Sequence, residues 1–331
     1  MKPSSQEPLV SVVTPFYNTD RYLAECIESV LAQSYQNWEY ILVNNCSSDK
    51  SLEIAERYAA KDVRIRLSTN KSFLTQVRNY NYALSLISRE SKYCKIVQAD
   101  DWIFPHCLSQ MVAVGEANPS VGIIGAYRLD DRKVSCDGLP YPSTVISGRD
   151  ICRFSLLRKC FVFGSPTSTM LRSDIVRKRE PFYSESSYHE DTEACYEILR
   201  EHDLGFVHQV LTFTRRENES ISSAVRRFDR FNILDEFIAL RKYGSTYLGE
   251  GELSSTFKSV EKKLLQFIAR SFFQRNGIRD LLRYHEDGLK LAGYRLSRIE
   301  ISLYIFLEIL KMALNPQMTL ERLVRDFCRA R

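Results

Sequence analysis

Through its first hundred residues the chain alternates short apolar runs with longer stretches in which apolar positions recur every three or four residues. A β-branched run at 9–14, stopped by Pro15, has the length and composition of a buried strand. Tyr22, Leu23, Cys26, Ile27, Val30 and Leu31 then share one face of a helix over 20–32, with Asp20 placed to cap it. The alternation continues with a strand at 40–43, a helix from Ser48 or Asp49 to about 60, a strand at 63–67, a helix over 74–88 and a strand at 93–97. Strands alternating with helices of about 10–15 residues predict a parallel sheet with right-handed crossovers. Beyond Pro105 the pattern predicts a helix at 106–117, a strand near 121–128, a loop over 130–143, a strand at 168–171 and a helix at 191–201. From about 229 onward it is helical nearly throughout. The expected organisation is therefore an α/β domain over 1–224 and a helical extension over 225–331.

In open parallel sheets, ligands bind beyond the carboxyl ends of the strands. Three of those ends carry polar residues: Thr14-Pro15-Phe16-Tyr17-Asn18, Asn44-Asn45-Cys46-Ser47-Ser48-Asp49 and Gln98-Ala99-Asp100-Asp101-Trp102. They would meet on one rim, as a nucleotide pocket requires.

Composition narrows the classes. With 44% hydrophobic and 26% charged residues the chain is an ordinary globular mixture, which excludes a disordered protein. Its nine cysteines are odd in number and lack CxxC spacing, so free thiols in a reducing compartment are expected. The polar N-terminus has no apolar leader core, and the longest apolar stretch, 301–314, is interrupted by Glu308 and Lys311. These features lead us to expect a cytoplasmic protein, free or lying on the inner face of a membrane. The net charge of +5 is uneven: residues 226–331 carry 20 Lys/Arg against 13 Asp/Glu, a surplus of +7. That surplus suits an anionic surface or acceptor, but a solvated helical face explains it more simply. No nucleic-acid partner is expected.

The strand-end residues belong to a longer series: Pro15-Phe16-Tyr17-Asn18, Ser29-Val30-Leu31-Ala32-Gln33-Ser34, Asn44 to Asp49, Val77-Arg78-Asn79, Gln98-Ala99-Asp100-Asp101 with Pro105, and Glu190-Asp191. In this order and spacing, over roughly 8–222, the chain resembles family 2 glycosyltransferases of the GT-A fold. The resemblance implies a Rossmann-like mixed sheet flanked by helices, and sugar transfer from a nucleoside diphosphate donor to a glycan or lipid-linked glycan, in surface-glycan biosynthesis. Inversion at the sugar carbon is also implied. Thr14, Pro15, Tyr17, Asn44, Arg78, Gln98 and Asp100 become the donor-binding residues. Asp100 becomes the ligand of Mn²⁺ or Mg²⁺ with Asp101 in support, and Asp191 the catalytic base. The chemistry agrees. A departing diphosphate needs its charge neutralised, which a hard cation on one or two carboxylates does, and an attacking hydroxyl needs a carboxylate to take its proton.

Each assignment has a structural alternative. Asp100 and Asp101 would also cap the helix near 105, Arg78 would also be a surface arginine, and Asp191 would also complement a helix dipole. Trp102 would either stack on a ligand or pack in the core. The segment from Phe163 to Thr169 falls where the family meets its acceptor, and reads equally as an ordinary loop. Three departures stand out: Asn44 and Asn45 where the family commonly has Asp, Gln98 in place of the first metal-motif Asp, and Glu217 where a metal-binding His often occurs. They leave room for a non-catalytic nucleotide- or glycan-binding protein. A nucleotidyltransferase fits less well, since no glycine-rich, lysine-bearing phosphate loop opens the chain. The helical extension would pack on the catalytic domain, pair with a second subunit or lie on a membrane.

Overall fold

Helices cover both faces of a parallel sheet, so its strands read as unbroken apolar runs. Strands β1 (Val10–Phe16) and β2 (Trp38–Asn44) show this: all of β1 and six of the seven positions of β2 are buried. The computed structural model describes residues 7–186, 189–216, 233–273 and 278–315. The chain divides into two compact units, Met1–Ser220 and Ile221–Arg331.

In the first unit α1 (Leu23–Leu31), α2 (Ser51–Ala59) and α3 (Gln76–Ser85) alternate with β1, β2, β3 (Ile65–Thr69) and β4 (Tyr93–Ile96). Then follow β5 (Trp102–Ile103), α4 (Cys107–Ala117), β6 (Val121–Asp130), β7 (Lys133–Ser135), β8 (Val145–Ile146) and α5 (Gly148–Leu156). A 3₁₀ turn at Pro166–Ser168 leads into β9 (Thr169–Arg172), α6 (Ser173–Lys178), α7 (Glu190–Ile198) and β10 (Asp203–Thr214). The sheet order is β3-β2-β1-β4-β9-β6-β10-β5, with β7 on β6 and β8 on β10. Strands β1 to β4 pair in parallel, whereas β9 runs antiparallel to both β4 and β6. The sheet is thus mixed, with the expected parallel half. Pairing of Phe16 with Asn44 and of Val13 with Ile96 brings the carboxyl ends of β2, β1 and β4 to one edge.

Local differences from the sequence reading have identifiable causes. Asp20 does not cap α1. The Thr19 carbonyl accepts from the N–H groups of Tyr22 and Leu23 at 2.9 Å each, while the Asp20 N–H donates to Asp49. The third strand starts at Ile65, and Val63 is 99% exposed. Strand β10 was not expected because Gly205, His208 and Gln209 interrupt its apolar run, and β5 is only two residues long.

The second unit contains α8 (Ile233–Tyr247), α9 (Glu250–Ser271), α10 (Ile278–Leu291) and α11 (Arg298–Leu314). Phe237 packs against Phe257 and Tyr294 with ring centres 5.0 and 4.9 Å apart, and Leu264 and Ile268 are fully buried. The apolar stretch in α11 is not simply core. Its buried side holds Glu308, which accepts from Lys311 at 3.0 Å and pairs with Arg270 at 3.3 Å, while Ile299, Leu303, Phe306 and Leu314 are exposed. No helix among the described residues is long and apolar enough to cross a membrane.

Candidate active site

The loops after β1 and β2 are laced together. Asn18, at φ 50°, accepts from the Ser48 N–H at 2.8 Å and donates its own N–H to Ser47 Oγ at 3.1 Å. Ser51 Oγ accepts from the Thr19 N–H at 2.8 Å, and Asp49 holds the Asp20 N–H at 3.0 Å. Asn44 caps its own turn, its Oδ1 accepting from the Ser47 N–H at 3.0 Å. On the rim, Tyr17 is 45% exposed and meets Phe73 edge-on, with ring centres 4.8 Å apart. The side chains of Thr14 and Pro15 lie inside: Thr14 is fully buried and donates to the Val97 carbonyl at 2.7 Å.

The amide at Asn45 has a structural reason. Its Oδ1 accepts from Asn70 Nδ2 at 2.8 Å and from the Leu74 N–H at 2.9 Å, while its Nδ2 donates to the Leu74 carbonyl at 2.9 Å. Asn70 also donates to Asn79 Oδ1 at 2.8 Å, so Asn79 of the Val77-Arg78-Asn79 element is a framework residue. A carboxylate at 45 has no proton for the Leu74 carbonyl. Asn45→Asp should therefore lower stability by about 1–3 kcal/mol in denaturant titration, through one repelled and unsatisfied buried acceptor.

The turn after β4 is held from three sides. Ser29 Oγ accepts from the Ile103 N–H at 3.2 Å, and Gln33 spans from the Phe104 carbonyl (2.8 Å) to the Leu108 N–H (3.0 Å). The Ser29-to-Ser34 element is thus the clamp that α1 places on the chain just past Asp101. Asp101 itself is 2% exposed and accepts from Thr214 Oγ1 at 3.2 Å and from the Arg215 N–H at 3.1 Å. Burial, and then the neighbouring charge of Asp100, push its pKa up to about 7. Arg215 donates to the Asp100 carbonyl at 3.3 Å, reaches Glu25 at 2.7 Å and lies over the rings of Tyr22 and Trp102. Trp102 stacks on Phe213 at 3.5 Å, so packing is its role. Glu217 lies outside the described residues.

Asp100, in contrast, is part-exposed at the strand end. Among the described residues no group of three or more His, Cys, Asp or Glu side chains closes around an ion. A hard cation shared with a diphosphate needs no such cage, only one or two carboxylates. A cation on Asp100 would offset the charge of the two adjacent carboxylates, and such hard oxygen donors suit Mn²⁺ or Mg²⁺.

Helix α3 joins this turn to the other half of the site. Tyr80, 7% exposed, lies beside the side chains of Gln98 and Gln76 and meets Tyr183 edge-on at 6.1 Å. Asn81 exchanges two 2.8 Å hydrogen bonds with the Tyr183 backbone. Arg78 pairs with Glu185 at 2.7 Å with both side chains well exposed, a contact of little strength that an anionic ligand can displace. Asp191, in the first turn of α7, lines a concavity with Phe163, Ser165, Thr169, Phe182 and Thr192. Gly164 takes φ 69° there, and a Cβ would stand 2.5 Å from Ser168, so the turn shaping that wall requires glycine.

Glu190, beside Asp191, has its pKa raised from 4.5 to about 7 by burial and then by the Asp191 charge. The folded state holds this proton more tightly than the unfolded chain, so stability falls as pH rises across that window. Glu190→Gln should be more stable than wild type above pH 7, by about 2 kcal/mol, with the gain vanishing below pH 4.5 in denaturant titrations.

The structure thus gathers Asn44, Gln98, Asp100 and Asp101 at one sheet edge, and sets Asp191 against the turn before β9. Sequence reasoning missed Phe73, Tyr80 and Lys95, and placed Thr167 only within the 163–169 segment, without its bond to the Gln98 N–H. The exposed and buried aromatics look alike in sequence, and an isolated Lys in an apolar run carries no motif.

Comparisons with known proteins agree with this arrangement. The family model described as Glycosyl transferase family 2 matches residues 11–178. The glycosyltransferase GlyG of Streptococcus pneumoniae is 34% identical over 146 residues, covering 44% of this chain and 46% of GlyG. EpsE of Bacillus subtilis is 33% identical over 163 residues, covering 47% of this chain and 58% of EpsE. The chain therefore spans about half the length of these curated relatives. An uncharacterized glycosyltransferase of Rickettsia typhi is 28% identical over 282 residues, 84% of this chain and 83% of its own length. Among solved structures, Staphylococcus aureus TarS residues 1–349 in complex with UDP-GlcNAc superposes with a TM-score of 0.61 at 16% identity, over 86% of this chain and 81% of that one. The mannosyltransferase PcManGT of Pyrobaculum calidifontis, in complex with GDP-Man and Mn²⁺, gives 0.54 at 14% identity, over 96% and 84%. These likenesses establish the GT-A fold.

Proposed function

Because this chain belongs to glycosyl transferase family 2, we propose that it transfers a sugar, with inversion, from a nucleoside diphosphate to a hydroxyl of a surface glycan or its lipid-linked precursor. The observation that carries this reading is the pairing of a part-exposed Asp100 on a rigidly held turn with Asp191 on a separate concavity, bridged by Tyr80. A metal-assisted inverting transfer uses one carboxylate to hold the cation at the leaving diphosphate and another to take the acceptor's proton.

The donor's base meets the Tyr17–Phe73 edge beside Asn44. Arg78 leaves Glu185 for the diphosphate, where its planar fork matches phosphate oxygens. Asp100 would hold Mn²⁺ or Mg²⁺, which neutralises the diphosphate as it departs. Asp101, fully hydrogen-bonded, keeps the turn in shape and leaves Asp100 as the exposed ligand. Asp191 accepts the proton of the acceptor hydroxyl from the concavity lined by Ser165 and Thr169. Proteins of the same fold with UDP-GlcNAc, or with GDP-Man and Mn²⁺, support this donor class.

The test is donor hydrolysis with UDP-, GDP- and dTDP-sugars in the presence of Mn²⁺ or Mg²⁺. Metal-dependent release of nucleoside diphosphate supports the reading and names the donor. Nucleotide binding without turnover, even with glycan acceptors supplied, replaces it with a binding protein.

A further inference from the structure

Lys95 is a charged side chain in the middle of the apolar strand β4, and it is 0% exposed. It sits opposite Val12 of β1 and Met170 of β9, with no path to solvent for its ammonium. Burying an ammonium is costly unless its protons are taken up. Its Nζ donates to the Thr169 carbonyl at 3.0 Å and, in a still shorter contact, to the Thr167 carbonyl. Those two carbonyls flank the exit of the 3₁₀ turn at Pro166–Ser168. The ammonium thus ties that turn to the back of β4.

What it fixes matters at the front. Thr167 is also 0% exposed, and its hydroxyl accepts from the Gln98 N–H at 3.0 Å, beside the Asp101 carboxylate. The same 3₁₀ turn forms a wall of the concavity that Asp191 lines. One buried cation therefore stands behind both halves of the site, joined to the Asp100-bearing turn through a single hydroxyl.

We propose that Lys95 and Thr167 form a positioning relay for the metal- and diphosphate-binding turn, in which the Lys95 ammonium sets the 3₁₀ turn and the Thr167 hydroxyl sets the Gln98 N–H at the start of the Asp100-bearing turn. The relay rests on the glycosyl-transfer reading of Asp100. It acts through other residues and touches no substrate. Removing either member leaves donor contacts such as Tyr17 and Arg78 in place but loosens Asp100.

Four variants test it: Lys95→Met, which keeps the stem and removes the charge, Thr167→Val, Thr167→Ser, and the double variant Lys95→Met/Thr167→Val. Each is compared with wild type in donor hydrolysis and, independently of turnover, in Mn²⁺ titration with UDP or GDP by calorimetry. Lys95→Met and Thr167→Val should each weaken Mn²⁺ binding by about tenfold and lower kcat by at least that factor, with donor KM within about threefold of wild type. Thr167→Ser should recover most of what Thr167→Val loses. The double variant should be no worse than the poorer single, because the two act in one chain. Thr167→Val alters one buried hydroxyl and decides the matter should Lys95→Met fail to fold. A folded Thr167→Val with wild-type Mn²⁺ affinity and kcat overturns the relay while leaving the glycosyl-transfer reading intact. A wild type that neither turns over nor binds any metal–nucleotide overturns that reading, and the relay with it.

Discussion

Asp191→Asn should reduce donor turnover by about 10²–10⁴-fold while nucleotide binding stays at the wild-type level. The amide matches the carboxylate in size, so the Thr192 N–H that donates to Asp191 Oδ1 at 2.7 Å keeps an acceptor. What the variant loses is the capacity to take a proton. Two measurements separate this from a packing defect: thermal melting, expected within a few degrees of wild type, and calorimetric titration of UDP or GDP. A variant that turns over at more than a tenth of the wild-type rate would remove Asp191 from the role of base, with Glu190, one residue away, next in line.

The second large effect is expected at Asp100. Asp100→Asn should lower metal-dependent turnover by at least about 10²-fold, since a cation neutralising a leaving diphosphate supplies several kcal/mol of transition-state stabilisation. Raising Mn²⁺ into the millimolar range should restore part of the rate, because the diphosphate still offers its own oxygens. The fold should be untouched: the turn is held through Asp101, Thr214 and the Arg215 N–H, none of which uses the Asp100 carboxylate. Rate measured against Mn²⁺ concentration is the deciding curve. A mutant with the wild-type curve would show that the ion is bound elsewhere or is not needed.

How far the site could be read in advance differs residue by residue. Asp100 and Asp191 stand in short patterns whose residue types are tied to their chemistry, so sequence alone brings them forward. Ser29 and Gln33 are equally visible as a pattern, but their task, clamping Ile103, Phe104 and Leu108, exists only once α1 lies against that segment. The departures at Asn44 and Asn45 looked like altered nucleotide contacts. Asn45 instead is bound on both its donor and its acceptor side within the framework, a fact of geometry that residue type does not encode. Trp102 and Tyr17 are both aromatics at strand ends, yet one stacks on Phe213 and the other stands 45% exposed.

By itself, then, the sequence determined the alternation of β1 to β4 with α1 to α3, the edge at which their polar ends meet, the family and the acidic residues on which the chemistry is proposed. Those follow from local periodicity and from short patterns, where neighbours in the chain are neighbours in space. Only the tertiary structure decided that β9 enters antiparallel between β4 and β6, that Tyr80 bridges the two halves, and that Lys95 lies buried behind the Asp100 turn. The Lys95–Thr167 contact spans 72 residues, and no local rule links positions so far apart. They meet because β9 must complete the hydrogen bonds of β4 and β6, which fixes where the turn before it can lie.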